Sequence, residues 1–263
     1  MVIGLAIDKV LIVDLWGDWA HYRKIYTTTS SLTYPLPTRT ALAGMFAAIM
    51  GLEKESYYDL FANGNSAFAL RILNPIKTLQ LNFNLTRTKL WRTITISDDF
   101  TGMSLAELRH HLALDSSEGQ RSQIPMEFLK DPKWRIYLWF EEKQRYDELK
   151  TLLKEHRSFF TPYLGISELI ANFQYIGEEG VSVKEVQENN PVKIHSVIKK
   201  SMDISIKVEK DLKYGHVKIP GQMGANRVIQ EFIELFYEQT GKPITITHGT
   251  YYTIGEETNV IFF

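Results

Sequence analysis

Ten consecutive residues, Tyr22-Arg23-Lys24-Ile25-Tyr26-Thr27-Thr28-Thr29-Ser30-Ser31, place two cations, five aliphatic hydroxyls and two phenols on one short stretch of chain. That set suits the oxygens of a phosphodiester backbone. Cations offset charge and hydroxyls and amides donate hydrogen bonds, and none of these contacts reads base identity. Tyr22, Tyr26 and, just beyond, Tyr34 offer ring faces to unpaired bases, each stack being worth roughly 1–3 kcal/mol. Arg39 then opens a helix whose N-terminal dipole end is positive. A second basic set, Arg87, Lys89 and Arg92, lies in an extended stretch, where strand alternation puts the first two on one face. The same compositions also describe a solvated Ser/Thr-rich loop and an edge strand protected by charge.

The charge pattern bears on that choice. No acid occurs between Trp19 and Leu52, whereas the chain's average would put about four there. Leu60–Ser97 is also free of acids while carrying Arg71, Lys77, Arg87, Lys89 and Arg92. Residues 1–97 hold ten bases and six acids (+4) and residues 98–263 hold twenty and twenty-five (−5), which together give the net charge of −1. An anionic polymer would be drawn to the N-terminal third.

Other chemistries find little support. With no cysteine there is no disulfide framework, thiolate zinc site or cysteine nucleophile, which fits a reducing compartment. His110 and His111 are adjacent on an expected helix and diverge by about a hundred degrees, so they do not converge on one metal ion. His21, His156, His195, His216 and His248 show no metal-ligand spacing, and no metal or other cofactor is expected. No Walker loop, GxGxxG or Ser/His/Asp set occurs. Gly221-Gln222-Met223-Gly224 matches the GxxG clamp of KH domains, but a Pro-Gly turn ahead of a helix accounts for both glycines. The apolar start is interrupted by Asp8, Lys9 and Asp14, and no apolar run reaches membrane-spanning length, so a cytoplasmic protein without membrane contact is expected.

The elements that must carry these residues follow from patterning. Val10–Val13 reads as a strand buried on both faces in mid-sheet. Pro35 and Pro37 keep the chain extended, Thr38 caps, and Arg39–Gly51 is a small-residue helix that can lie close on a sheet. Asn65–Asn74 is a strand, Leu79–Ile96 an extended arm or hairpin, and Asp98–Asp131 irregular with a short helix at Ser104–Leu114. Trp134–Phe140 is a strand with Tyr137 and Trp139 on one face, where covering by the C-terminal part is the expected fate. Glu142–His156 is an amphipathic helix with Tyr146, Leu149, Leu152 and Leu153 on one stripe. The turn Thr161–Gly165 leads to a strand at Leu169–Ile176. The expected fold class is α+β, in the βαββαβ order of ferredoxin-like and RRM domains, over 1–178 with an insertion at about 77–131. Residues 179–263 are expected to form a small β-rich subdomain, with strands at Lys193–His195, Ile204–Val208, Ile244–Thr247 and Asn259–Phe263 and a helix at Arg227–Gln239.

The run from Tyr22 to Glu53, RKIYTTTSSLTYPLPTRTALAGMFAAIMGLE after its leading tyrosine, resembles the N-terminal signature of the Cas-five family of CRISPR-associated proteins, in its type I-B form. Ile124–Phe140, Phe159–Glu178 and Glu257–Phe263 extend the resemblance over most of the chain. It implies a RAMP-type ferredoxin-like domain whose insertion is a β-hairpin thumb. It also implies a non-catalytic subunit of a Cascade effector complex that binds and caps the 5′ handle of the CRISPR RNA (crRNA) in antiviral defence. Such a subunit bridges a Cas-eight-type large subunit and a Cas-seven-type backbone subunit and meets target DNA only through the complex. By position, Arg23, Lys24, Tyr26, Thr27, Thr28, Thr29, Ser30, Ser31 and Arg39 fall in the handle-binding block, and Arg87, Lys89 and Arg92 in the thumb. Thr161–Gly165 is similar to the RAMP glycine loop. Type I-C members of the family cut precursor RNA without metal, and the alternative expectation is such an endoribonuclease, with Tyr26, Lys89, His110 and His111 as the available acid-base types.

Overall fold

A computed structural model describes residues 6–27, 31–86, 104, 121–188 and 190–263. The elements run β1 (Lys9–Trp16), β2 (Trp19–Ala20), α1 (Arg39–Met50), β3 (Ser66–Ile72), β4 (Thr78–Thr86), β5 (Arg121–Lys130), β6 (Lys133–Phe140), α2 (Lys143–Lys154), β7 (Asn172–Glu185), β8 (Val192–Ile194), β9 (Ile198–Lys199), β10 (Ser205–Lys207), β11 (Tyr214–Met223), β12 (Ile229–Glu238), β13 (Ile244–His248), β14 (Thr250–Ile254) and β15 (Thr258–Val260). The chain is thus mostly β, richer in strand than the expected α+β balance, with a curled main sheet.

β1 lies in the middle of that sheet, whose order is β15-β14-β7-β1-β6-β3. Its odd residues Leu11, Val13 and Leu15 join Leu42, Phe46, Leu149 and Leu153 of the two helices in one core. Its even residues Val10 and Ile12 join Tyr137, Trp139, Ile254 and Val260 on the other face. A run apolar at every position is what a strand covered on both sides requires. Tyr137 and Trp139 are therefore core, covered by the returning C-terminal strands as the sequence suggested.

Thr38 caps α1 by accepting from the Ala41 N–H, and Gly51 closes it in a left-handed conformation (φ 72°). Three expectations need correction. Residues 227–239 are not a helix: β12 buries Ile233, Leu235 and Tyr237 at a period of two and pairs with β11. Helix-forming Gln, Glu and Leu masked that alternation, and the neighbouring strand decided the conformation. Gly221 is not in a turn ahead of a helix but within β11, at register irregularities opposite Glu231 and Phe232. Residues 121–130 are not irregular but form β5, antiparallel to β4 from Thr78↔Leu129 to Thr86↔Arg121. Pro125 is tolerated because its missing N–H falls on the side of β5 that Glu127 N–H also faces, away from β4, where Glu127 donates to Ser31 O. The helix expected at Ser104–Leu114 lies outside the described residues apart from Ser104.

The boundary expected at residue 178 falls inside β7. The first part of that strand pairs with β1 and the rest with β14, and Val197, Ile219, Ile233, Leu235 and Phe263 belong to the same core as α1 and α2. The C-terminal third thus gives β14 and β15 to the main sheet and several side chains to its core, while its other strands form two three-stranded sheets, β10-β13-β8 and β11-β12-β9, with a further cluster around Ile194, Ile198, Ile244 and Ile246. No helix among the described residues is long and apolar enough to cross a membrane.

Glu178 of β7 fastens α2 to the sheet by pairing with Lys150 of α2 and, at 3.0 Å, with Lys9 of β1. The Lys150 hydrogen bond outweighs desolvation, and Lys9 and Tyr146 add to it, so the carboxyl is held down to about 2. A carboxyl harder to protonate folded than unfolded confers stability that is complete above its ordinary value near 4.5 and is lost as pH falls toward about 2. Urea midpoints of the parent and Glu178→Gln should therefore differ most at neutral pH and converge through that window. A gap independent of pH would refute this role.

Candidate nucleic-acid interface

The loop after β2 is built as a narrow excursion. Tyr22 N–H donates to Thr33 Oγ1 (2.9 Å), Tyr34 N–H to Tyr22 O (2.7 Å) and Lys24 N–H to Leu32 O (2.9 Å). Thr27 closes a tight turn by donating its N–H and hydroxyl to Lys24 O (3.2 and 2.8 Å), and the Arg23 guanidinium donates to Thr27 O (3.0 Å). From underneath, Glu127 of β5 holds the loop: its carboxylate accepts from Thr33 N–H (3.0 Å) and its carbonyl from His21 Nδ1 (2.7 Å). One oxygen of the Glu127 carboxylate is thereby committed to the loop's backbone.

Arg23, Ile25 and Tyr26 are exposed, Tyr26 at 69%, and Lys24 between them is half-buried. Neither Arg23 nor Lys24 forms an ion pair among the described residues. Tyr22 and Tyr34 instead point inward, Tyr22 against Trp134 at 6.0 Å between ring centroids, and burial raises both phenols. They are structural, and only Tyr26 of the three has a free ring face. Thr27 is buried with its hydroxyl spent on the turn, and Ser31 is half-buried beside Met126. Thr28, Thr29 and Ser30, and likewise Arg87, Lys89, Arg92, His110 and His111, lie outside the described residues.

Arg39 departs most from expectation. It is 2% exposed, and its guanidinium donates to Phe61 O (2.6 Å), Ser66 O and Oγ (both 3.1 Å), Gly221 O (3.2 Å) and Phe263 O (3.4 Å), with Phe68 stacked at 5.4 Å. Burial pulls its pKa down to about 10, so it remains a cation at neutral pH. Every donor faces a protein acceptor, which leaves none for phosphate. The sequence could not separate this buried arginine from an exposed one, because both follow a cap at the start of a helix.

The turn at Thr161–Gly165 packs on the loop's base. His21 N–H donates to Leu164 O (3.0 Å), and Gly165 (φ 98°) comes so close that a Cβ there would lie 2.0 Å from His21 O. One glycine suffices for this approach, since only Gly supplies both the conformation and the space. Beside the turn is a cavity of about 410 Å³ bounded by α1, Tyr57, Tyr58, Tyr163, Gln222 and Arg227, with Arg39 forming part of its wall. The adjacent Tyr57-Tyr58 pair in a polar segment was the one hint of it in the sequence.

The sequence matches the family described as CRISPR-associated protein (Cas_Cas5) over residues 10–213. The chain belongs to the Cas5 family. This is the family that the Tyr22–Glu53 run resembles. No curated protein gives a significant match. Among solved structures, a CRISPR protein from Archaeoglobus fulgidus is similar to this Cas5-family chain with a TM-score of 0.53 at 16% identity, over 96% of this chain and 98% of that one. A chain of a structure titled CRISPR RNA-guided surveillance complex follows with a TM-score of 0.51 at 15% identity, over 89% and 91%. At such identities the likeness is one of fold.

Replacing Arg39 in this Cas5-family chain strands several buried carbonyls. Arg39→Met should destabilise it by on the order of 3 kcal/mol in chemical denaturation, because buried acceptors lose their donors. A variant as stable as its parent would show that the clamp is not needed.

Proposed function

We propose that this Cas5-family chain is a non-catalytic RNA-binding subunit of a type I-B CRISPR effector complex (Cascade), gripping and capping the 5′ handle of the crRNA in the prokaryotic cytoplasm. The observation that carries this reading is the Arg23-Lys24-Ile25-Tyr26 segment, whose two cations form no ion pair among the described residues, set on a loop braced by Glu127. Cations there take phosphates and the Tyr26 face takes one base, which together hold a single strand without specifying its sequence. Membership of the Cas5 family and the likeness to a chain from an RNA-guided surveillance complex support the assignment. The pairing order β7-β1-β6-β3, with both helices packed against one face, supports a RAMP ferredoxin-like core, and the β4/β5 ribbon supports a thumb at its side.

Partner subunits fit the remaining surface. Phe159 and Phe160 are exposed apolar side chains at the C-terminal end of α1, where their N–H groups donate to the last-turn carbonyls of Ile49 and Ala48. Neighbouring exposed apolar groups of this kind mark a protein contact, here assigned to the backbone subunit of Cas-seven type or the large subunit of Cas-eight type. Target DNA then meets this chain only through the complex.

RNA affinity should fall with rising salt. Lys24→Ala should lower the log-log slope by roughly 0.7, the share of one phosphate on a single strand, whereas Arg39→Met should leave the slope unchanged. A slope indifferent to Lys24 would overturn the assignment of the loop. With labelled repeat RNA in EDTA the RNA should stay intact, and site-specific cutting lost in Tyr26→Phe would make the protein an endoribonuclease instead.

A further inference from the structure

We infer that the cavity between α1 and the Tyr57-Tyr58 segment receives one unstacked nucleobase of the RNA held by the neighbouring loop. The inference rests on the RNA-binding reading above and adds to it a site with a stated ligand class.

Size and lining point the same way. About 410 Å³ lies within the range of pockets that enclose small organic ligands. Tyr57, Tyr58 and Tyr163 supply flat apolar rings tipped by hydroxyls, and these hydroxyls make no hydrogen bond within the described protein. Tyr57 and Tyr58 are tilted at 50° with centroids 5.1 Å apart, so neither ring covers the other's face. Tyr163, 47% exposed, stands at the rim on the same turn whose Gly165 abuts His21. A strand gripped at Arg23 and Lys24 therefore passes close to the opening.

The space is kept open by composition. A Cβ at Gly44 would meet only Tyr57, with its hydroxyl at 3.2 Å, so a larger side chain there would grow into the cavity. Arg39 fixes the wall by tying α1 to Phe61 and Gly221.

Charge selects a base over a phosphate. Of the two cations lining the cavity, Arg39 has every donor taken by protein acceptors, and Arg227 pairs with Glu55 at 3.2 Å, which offsets the charge an anion would need. Glu55 and Arg227, with Asn226, hold left-handed backbone conformations (φ 59–70°) that non-glycine residues seldom adopt. Strain gathered on one ion pair at a cavity mouth marks a place maintained for more than packing. An uncharged planar ring, with its polar edge toward the phenols, satisfies the tyrosine hydroxyls. A phosphate would be repelled by Glu55 and is better served by the loop cations.

The experiment uses the full chain and short single-stranded RNAs from the 5′ part of the repeat, each lacking the base at one position. Removal at one position should weaken binding roughly 5- to 150-fold, the worth of one aromatic-base stack. That penalty should vanish in Gly44→Leu, which fills the cavity, and in Tyr163→Ala, whose exposed ring can be removed without opening the core. Equal melting temperatures of parent and Tyr163→Ala secure the comparison. Binding without any position-dependent penalty, or a penalty that persists in both variants, overturns the base pocket and leaves the RNA-binding reading intact. Failure of the parent to bind any of the RNAs overturns both.

Discussion

One buried guanidinium joins five stretches of chain. Arg39 starts α1, yet its donors reach Phe61, Ser66 at the start of β3, Gly221 in β11 and the carbonyl of Phe263. Burying a cation is costly unless its donors are met, and here they are met by carbonyls that would otherwise be buried acceptors themselves. The arrangement works only if all five segments are in place together. The position of α1, and with it the loop before the helix and the cavity beside it, follows from that condition.

The division of labour within the Tyr22–Arg39 segment follows from burial. Tyr22, Thr33, Tyr34 and Arg39 face inward and make the platform. Arg23, Ile25 and Tyr26 face outward, with Lys24 half-buried among them. Glu127 looks misplaced under a basic loop, but its carboxylate is spent on the Thr33 N–H. It therefore braces the loop's backbone and forms no ion pair with its cations among the described residues.

Much of the architecture was legible in the chain. Val10–Val13 announced a strand covered on both sides, Thr38 and Gly51 marked both ends of α1, and the 3.6-residue stripe of Tyr146, Leu149, Leu152 and Leu153 gave the second helix. What escaped was set by distant partners. β12 carries helix-forming residues and became a strand because β11 and β9 flank it. β5 hides a proline whose missing N–H is harmless only on that side of the strand. Acid depletion singled out the whole Trp19–Leu52 stretch but could not tell the outward-facing Arg23 from the buried Arg39, since composition carries no information on burial. Tyr57, Tyr58 and Arg227 are brought together by folding across some 170 residues of chain, a juxtaposition no local spacing reveals.

β7 serves two neighbours in succession, β1 along its first half and β14 along its second. A slip of one residue in such a strand would turn its side chains over against both neighbours at once. The N-terminal strand and the returning C-terminal strands therefore share one register, and the sheet should come apart as a cooperative whole rather than peel from either end.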